Sequence, residues 1–306
     1  MAQSSIRQVA VIGFGTVGVG WTALFLANGS DVTVHDPAVD DLATLEAALA
    51  PSLASLRELG RTGHGRLCLA ASPEKAVASA DFVQENAPEK QAFKADLLRR
   101  LDEATPAGAI IASSTSSLLW SELTGTCRDP ERVIVAHPFN PPHLVPLVEL
   151  FGSDPAVLDR AEAFYAGLGM RPVRLKKEMR GHIANRLSSA LYQEAVHLVE
   201  QGVASVAEID AALRDGPGLR WATMGAHLTY HLGGGKGGIR HYLDHLGPSQ
   251  ERRWQDLGRP SLTDKLKADL VAGVEAEAAG RSIEELEALR DATLVALLHA
   301  RRRTER

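Results

Sequence analysis

Residues 9–21 read VAVIGFGTVGVGW: an apolar run, then Gly13-x-Gly15-x-x-Gly18, then helix-forming residues. A strand that feeds such a glycine turn and then a helix is an arrangement that holds a dinucleotide, and each glycine has its own task. The first allows a tight turn, the second lets backbone approach a pyrophosphate, and the third lets helix pack on strand. The pyrophosphate then rests on the positive end of the helix. Gly13, Phe14, Gly15, Thr16, Val17 and Gly18 are therefore the expected cofactor contacts. A second apolar run, Asp31 to His35, ends in Asp36, at about the 20-residue distance where an acid that binds the ribose is expected. A carboxylate there accepts from both ribose hydroxyls and repels a 2′-phosphate, so the expected cofactor is NAD and not NADP.

Outward from this unit, the first 180 residues alternate short strand-like runs (ADFVQENA, AIIASS, RVIVAHPF, RPVRLK) with longer Ala- and Leu-rich stretches. That alternation predicts an α/β fold, a Rossmann-type doubly wound sheet over residues 1–180. From Gly181 the pattern becomes helical, with Ile183, Leu187, Leu191, Val196 and Leu198 at helical spacing, and an all-helical second domain is expected over 181–306. Within it, VASVAEIDAALRDGPG reads as a helix ended by Gly-Pro-Gly, and Ser282 with Glu285 has the form of a capping box before a last amphipathic helix. Its apolar faces exceed the needs of one small bundle, which predicts a homodimer through the helical domain. GGGKGG at Gly233 to Gly238 lacks the ending of a phosphate loop and reads as a flexible loop. His241 and His245 could share a helix face, but no third ligand accompanies them, and no metal is expected.

The chain's 306 residues, 45% hydrophobic and 23% charged, suit a two-domain globular protein. Cys68 and Cys127 lie far apart, which argues against a disulfide scaffold and fits a reducing cytoplasm. The polar start MAQSSIRQ leads straight to the first strand, and no apolar run nears the roughly 18 residues of a membrane span, so neither leader nor membrane anchor is expected. A net charge of −5 offers no attraction for nucleic acid, and the basic run Arg301 to Arg303 reads as a frayed, solvated tail. The expected partner is a small molecule.

Reacting groups in such a fold collect at the carboxyl ends of strands. Two of these ends are unusually polar: AIIAS leads into Ser114, Thr115, Ser116 and Ser117, and RVIVA leads into His137. Glu149 follows twelve residues later in LVPLVEL, between Val148 and Leu150. A carboxylate in apolar company is costly unless paired. An antiparallel return would set it beside the imidazole, where it would fix the tautomer and stabilise the protonated form, as a general base for an alcohol requires.

With these residues in place, the chain resembles the 3-hydroxyacyl-CoA dehydrogenase superfamily, through SSTSSL (113–118), HPFNPPHLVPLVEL (137–150) and GHIANRL (181–187) in the same order. The resemblance implies His137 as the catalytic histidine, Glu149 as its partner, and Ser116 with Asn185 as oxygen-binding residues. It also implies that Glu89, Lys94 and Asn140 lie near the nicotinamide half of the cofactor. Further segments, above all GLRWATMG (218–225) and GRSIEELEALRD (280–291), resemble the branch of that superfamily that oxidises L-carnitine.

Carnitine's trimethylammonium group has no proton to donate and is best held over aromatic faces. Phe139, Tyr192, Trp221 and Tyr230 are the expected rings, and Arg220 or Arg186 could fork the substrate carboxylate. Asn185 stands where the carnitine branch suggests aspartate. Another 3-hydroxy acid of the L-gulonate type, or a CoA thioester, is therefore the alternative, with Arg57, Arg61, His64 and Arg66 as basic residues for CoA phosphates. The superfamily also includes lens λ-crystallin, and a structural NAD-binding protein is the third reading.

Overall fold

The computed structural model describes residues 6–304; Met1–Ser5, the polar start read above, and Glu305–Arg306 lie outside the described residues. Strand β1 (Gln8–Ile12) is QVAVI, whose last four side chains are buried. It lies near the middle of one eight-stranded sheet with β2 (Asp31–His35), β3 (Leu67–Leu69), β4 (Phe82–Glu85), β5 (Ile110–Ser113), β6 (Val133–Pro138), β7 (Leu147–Phe151) and β8 (Arg171–Arg174). The order is β3-β2-β1-β4-β5-β6-β7-β8. Pairing is parallel from β3 through β6 and again between β7 and β8, whereas β6 and β7 run antiparallel. The sequence reading overlooked β3, since RLCLA is three residues of strand at the sheet edge with no alternation to betray it.

Helices cover both faces, as expected for strands that are apolar on both sides. They are α1 (Thr16–Ala27), α2 (Leu42–Glu58), α3 (Pro73–Val77), α4 (Gln91–Ala104), α5 (Trp120–Thr124) and α6 (Pro155–Gly167). One core gathers Trp21, Phe25, Phe82, Phe164 and Tyr165, and the other gathers Val77, Leu98, Leu101 and Ile111. Helix α1 is apolar nearly all round because it is buried nearly all round. Gly20 on it has no room for a side chain, since a β-carbon there would meet Pro142 Cδ at 2.8 Å.

The remaining helices are α7 (Ala184–Glu200), α8 (Val206–Leu213), α9 (Leu219–Trp221), α10 (Ala226–Gly233), α11 (Gly238–Asp256), α12 (Asp264–Ala278) and α13 (Ile283–Thr304). Contacts group residues up to Arg186 with Arg290–Thr304 as one compact unit and Leu187–Leu289 as a second. Composition changes at Gly181, but contacts change at Arg186, and the last turns of α13 belong to the sheet's unit. Leu294, Val295 and Leu298 pack there with Leu59 and Leu144, and Arg302 Nη1 donates to the Leu59 carbonyl at 2.7 Å. The run Arg301 to Arg303 is thus the end of a docked helix and not a frayed tail, because apolar residues one turn earlier anchor it.

In the second unit the expected cap of Ser282 with Glu285 forms at the start of α13, and Ser205 with Glu208, not singled out from the sequence, caps α8 in the same way. Gly216 is non-helical, which ends α8 as Gly-Pro-Gly suggested. GGGKGG, expected as a flexible loop, joins the end of α10 to the start of α11. It closes in one 3-10 turn, Gly235–Gly237, in which a β-carbon on Gly234 would lie 1.9 Å from the Gly238 carbonyl oxygen. No described helix is long and apolar enough to cross a membrane.

Candidate active site

At the carboxyl end of β1, Gly13 takes φ +90° and donates to the His35 carbonyl at 2.8 Å. A β-carbon on Gly18 would fall 2.0 Å from the Gly13 carbonyl oxygen, whereas one on Gly15 would meet nothing within 4 Å. The third glycine is therefore there for helix-to-turn packing, and the second leaves its outer side open to a ligand. Thr16 and Val17 form the first turn of α1, where amides face outward without helical acceptors. Asp36 sits against this turn: its Oδ2 accepts from the Phe14 amide at 2.7 Å and its Oδ1 from the Ala38 amide at 2.8 Å. Beside it is a cavity of about 520 Å³ walled by Gly13, Gly15, Asp36, Pro73, Asn86 and Phe93. An apolar slot with a carboxylate and a bare glycine backbone at its rim fits the adenosine half of NAD. Arg100 also reaches this wall, but its guanidinium is engaged by Glu74.

The histidine and the glutamate meet as the spacing suggested. His137 and Glu149 are register partners across the antiparallel β6 and β7. Nδ1 of His137 lies 2.9 Å from Glu149 Oε2, with both side chains buried. The carboxylate neighbour assigns the proton to Nδ1 and leaves Nε2 as an acceptor. Asn185 Nδ2 donates to that Nε2 at 3.3 Å and to the Ser116 carbonyl at 3.2 Å. Glu149 Oε1 accepts from the amides of Ile183 and Ala184 at 2.8 and 3.1 Å, so one carboxylate joins β6 to the start of α7. Burial opposes its ionisation, but the bonds from His137, Ile183 and Ala184 outweigh burial and hold it below the ordinary carboxylate range.

Glu89 organises the serine-rich turn. Its Oε1 accepts from Thr115 Oγ1 and from the amides of Ser116 and Ser117, at 2.6, 2.8 and 2.9 Å. Burial works against the charge, yet the Thr115 hydroxyl, the Lys94 charge and these amides keep its carboxyl below the usual range. Ser116 is exposed on this turn. Lys94, by contrast, is 1% exposed, with Nζ 2.7 Å from Glu85 and 3.7 Å from Glu89. It approaches from beneath and aligns carboxylates; it does not present a free ammonium. Asn140 and Phe139 follow β6 directly, Asn140 exposed and Phe139 half-buried, with a cis bond between Asn140 and Pro141.

His182, in the GHIANRL segment, is a site residue that carries no signal of its role in the sequence. It is 3% exposed at φ +49°, its ring centroid is 4.9 Å from that of His137, and its Nε2–H donates to the Thr115 carbonyl at 3.0 Å. It thus wedges the His137 ring against the serine turn. Burial pushes it below the ordinary histidine value despite the opposing bond to Thr115. The left-handed backbone, uncommon for a side chain larger than glycine, leaves no trace in sequence. Asn86 was missed as well; it lies under the glycine turn and accepts from Ser114 Oγ at 2.7 Å.

The other basic residues sit elsewhere. Arg57, Arg61 and His64 line a cavity with Leu26 and Gly65, at the amino end of β2 and β3, the sheet edge opposite to Gly13 and His137. Arg66 is tied to Asp31. The sequence reading that offered them to the phosphates of a reacting CoA thioester is therefore corrected: sequence proximity to the first βαβ unit does not say which end of the sheet a connection occupies.

In the second unit, Tyr192, Trp221 and Tyr230 are exposed, and Arg220 is exposed on α9. Tyr230 packs against Tyr242 at a tilt of 45°, ring centroids 4.9 Å apart, and lines a cavity of about 570 Å³ together with Trp254, Asp244 and Glu251. The sequence reading singled out neither Tyr242 nor Trp254. His241 and His245 are exposed on α11, and among the described residues no group of three or more potential ligands could hold a metal.

Comparison with known proteins gives concordant matches. Residues 8–179 match the model for 3-hydroxyacyl-CoA dehydrogenase, NAD binding domain, and residues 181–268 match the model for its C-terminal domain. The chain is 48% identical to an L-carnitine dehydrogenase of Streptomyces griseus, covering 100% of this chain and 93% of that one. It is 46% identical to an L-carnitine dehydrogenase of Streptomyces coelicolor, covering 97% and 95%. Among solved structures it resembles FHMPC 5-dehydrogenase, described as an NAD+-dependent dismutase, with TM-score 0.82 and 28% identity over 97% of this chain and 99% of that one.

Proposed function

Because this chain belongs to the 3-hydroxyacyl-CoA dehydrogenase family, we propose that it is an NAD-dependent dehydrogenase that oxidises the 3-hydroxyl of L-carnitine to 3-dehydrocarnitine. The observation that carries the substrate is whole-chain similarity to L-carnitine dehydrogenases, which extends across both units. When bound, the nicotinamide supplies the acceptor for the hydride that leaves the carbinol carbon.

The chain's own residues do the rest. His137 Nε2, left as an acceptor by the bond from Nδ1–H to Glu149, takes the hydroxyl proton. The imidazolium so formed is stabilised by the Glu149 carboxylate 2.9 Å away, whose second oxygen is fixed by two amides. Asn185 donates to the site that the substrate oxygen would occupy, and with the Ser116 hydroxyl it holds that oxygen. Glu89 and Lys94 act through the serine turn as positioning residues. Gly13 to Gly18 hold the pyrophosphate, Asp36 the ribose, and Asn140 lies toward the nicotinamide. Within the second unit, the Tyr230, Tyr242 and Trp254 rings with Asp244 and Glu251 line a cavity whose chemistry suits a quaternary ammonium. Phe139, Tyr192, Trp221 and Arg220 remain proposed substrate residues.

The helical residues from 181 onward form the substrate and dimerisation domain in this reading. In the second unit the large apolar side chains that become buried are Val196, Tyr242 and Leu266, while Leu187, Leu219, Leu228, Leu232 and Trp254 stay more than half exposed. A homodimer through this surface follows. Two free cysteines suit the cytoplasm.

The test is NADH formation with L-carnitine, D-carnitine, L-3-hydroxybutyrate, L-gulonate and 3-hydroxybutyryl-CoA, each with NAD and NADP. Turnover confined to L-carnitine with NAD is expected. Preference for a thioester or a non-cationic acid removes the substrate assignment and leaves the base mechanism standing.

A further inference from the structure

At the amino end of β2 and β3, away from the catalytic pair, the segment between α2 and β3 folds tightly onto the end of α1. Gly63 and Gly65 donate to the carbonyls of Ala27 and Leu26 at 2.8 and 3.1 Å. This leaves a cavity of about 500 Å³ whose wall includes Arg57, Arg61, Thr62 and His64.

Arg61 is held in place there. Its Nη1 donates to Asn28 Oδ1 at 2.9 Å, and its Nη2 rests where Gly169 has no side chain, since a β-carbon on Gly169 would lie 1.8 Å from it. Only glycine at position 169 admits the guanidinium. Arg302, at the end of α13, is near enough that its charge, after burial, holds Arg61 below the ordinary guanidinium range. Arg302 itself donates to the Leu59 carbonyl. Among the described residues no carboxylate stands within 4.0 Å of either guanidinium. The amides of Thr62 and His64 likewise find no acceptor among the described residues.

Two neighbouring guanidiniums, one half-buried, repel each other unless an anion lies between them. Preorganised guanidinium forks and free amides together are the usual donors to phosphate oxygens. We propose that this pocket binds a phosphate-bearing small molecule, held by Arg57, Arg61 and His64 with Arg302 as the outer charge. A carboxylate would meet fewer of these donors than a phosphate, whose oxygens can accept from several sides. The ligand is not the reacting substrate, because the pocket opens at the sheet edge opposite to His137. Its binding would neutralise the Arg61 and Arg302 pair and fasten the last turn of α13 to its unit.

Thermal unfolding of the NAD-saturated protein with added pyrophosphate or inorganic phosphate tests this, at ionic strength held constant with sodium chloride. Saturating NAD keeps the probe off the Gly13 to Gly18 turn. A saturable rise in Tm is expected, with apparent affinity at least tenfold weaker in Arg57→Gln and in Arg302→Gln and with kcat unchanged in both. Arg57 is exposed and makes no bond on which the fold depends, so its variant reads the site alone. A rise no larger than chloride produces, or one that survives Arg57→Gln undiminished, overturns the proposal.

Discussion

Glu149 faces His137 both as its hydrogen-bond partner at 2.9 Å and as its register partner in the antiparallel pairing of β6 with β7. The pair is therefore aligned by backbone ladder bonds before any side chain rotates, and the carboxylate's other oxygen is held by Ile183 and Ala184. For the proposed base, such prealignment costs little reorganisation when charge appears on the imidazole.

His137→Ala is expected to lower kcat by ~10² to 10⁴-fold, the usual worth of a positioned general base, with NADH affinity by fluorescence titration nearly unchanged. Glu149→Gln should keep the amide contacts but lose the charge, and so lower kcat as well. Near-wild-type turnover in either variant would remove the proposed base.

Gly18→Ala sets a β-carbon 2.0 Å from the Gly13 carbonyl oxygen, which neither backbone can evade without opening the turn. Loss of NADH binding by at least about tenfold is expected, since the turn that shapes the pyrophosphate site must shift. Titration of the variant by fluorescence, with circular dichroism as the folding control, reads this directly. Unaltered affinity would show that the turn is not the cofactor site.

Asp36→Ser removes the carboxylate that favours ribose hydroxyls. A hydrogen bond to a charged group is worth roughly 1.5–3 kcal/mol, about ten- to hundredfold in affinity. The ratio of kcat/KM for NAD over NADP should fall by about that factor, and a ratio that stays put would count against Asp36 as the selector.

His143 is 8% exposed, neither ring nitrogen has a hydrogen-bond partner among the described residues, and Asp291 is 3.8 Å away. Burial drives its pKa from 6.5 down to about 4, against the raising effect of Asp291. A histidine whose folded value is depressed is protonated first in the unfolded chain, so the stability it contributes is complete above pH 6.5 and is lost as pH falls toward 4. The linked loss is on the order of 3 kcal/mol. Urea unfolding between these pH values should be steeper in pH for the wild type than for His143→Gln, and identical slopes would show that another group governs acid lability.

Sedimentation at micromolar protein should give twice the 32.8 kDa chain mass. A monomer would mean that the exposed leucines of the second unit are covered in some other way.

Local chemistry in the sequence was enough for the glycine turn, Asp36, the alternation of strands and helices, the cap at Ser282, and the pairing of His137 with Glu149. Each rests on short-range rules: backbone that only glycine tolerates, hydrophobic period, side chains that reach one turn along a helix, and the alternation of faces along two joined strands. Their signals survive whatever the rest of the chain does.

Other features were decided only by distant parts of the chain coming together. His182 gained its place from the serine turn 67 residues earlier, Lys94 was turned inward by Glu85, and Arg57 and Arg61 went to the far edge of the sheet. The run at Arg301 to Arg303 became a docked helix end because Leu294, Val295 and Leu298 found Leu59 and Leu144. Burial, opposing charge and long-range hydrogen bonds depend on which surfaces meet in space, and a one-dimensional pattern of residue types does not carry that information.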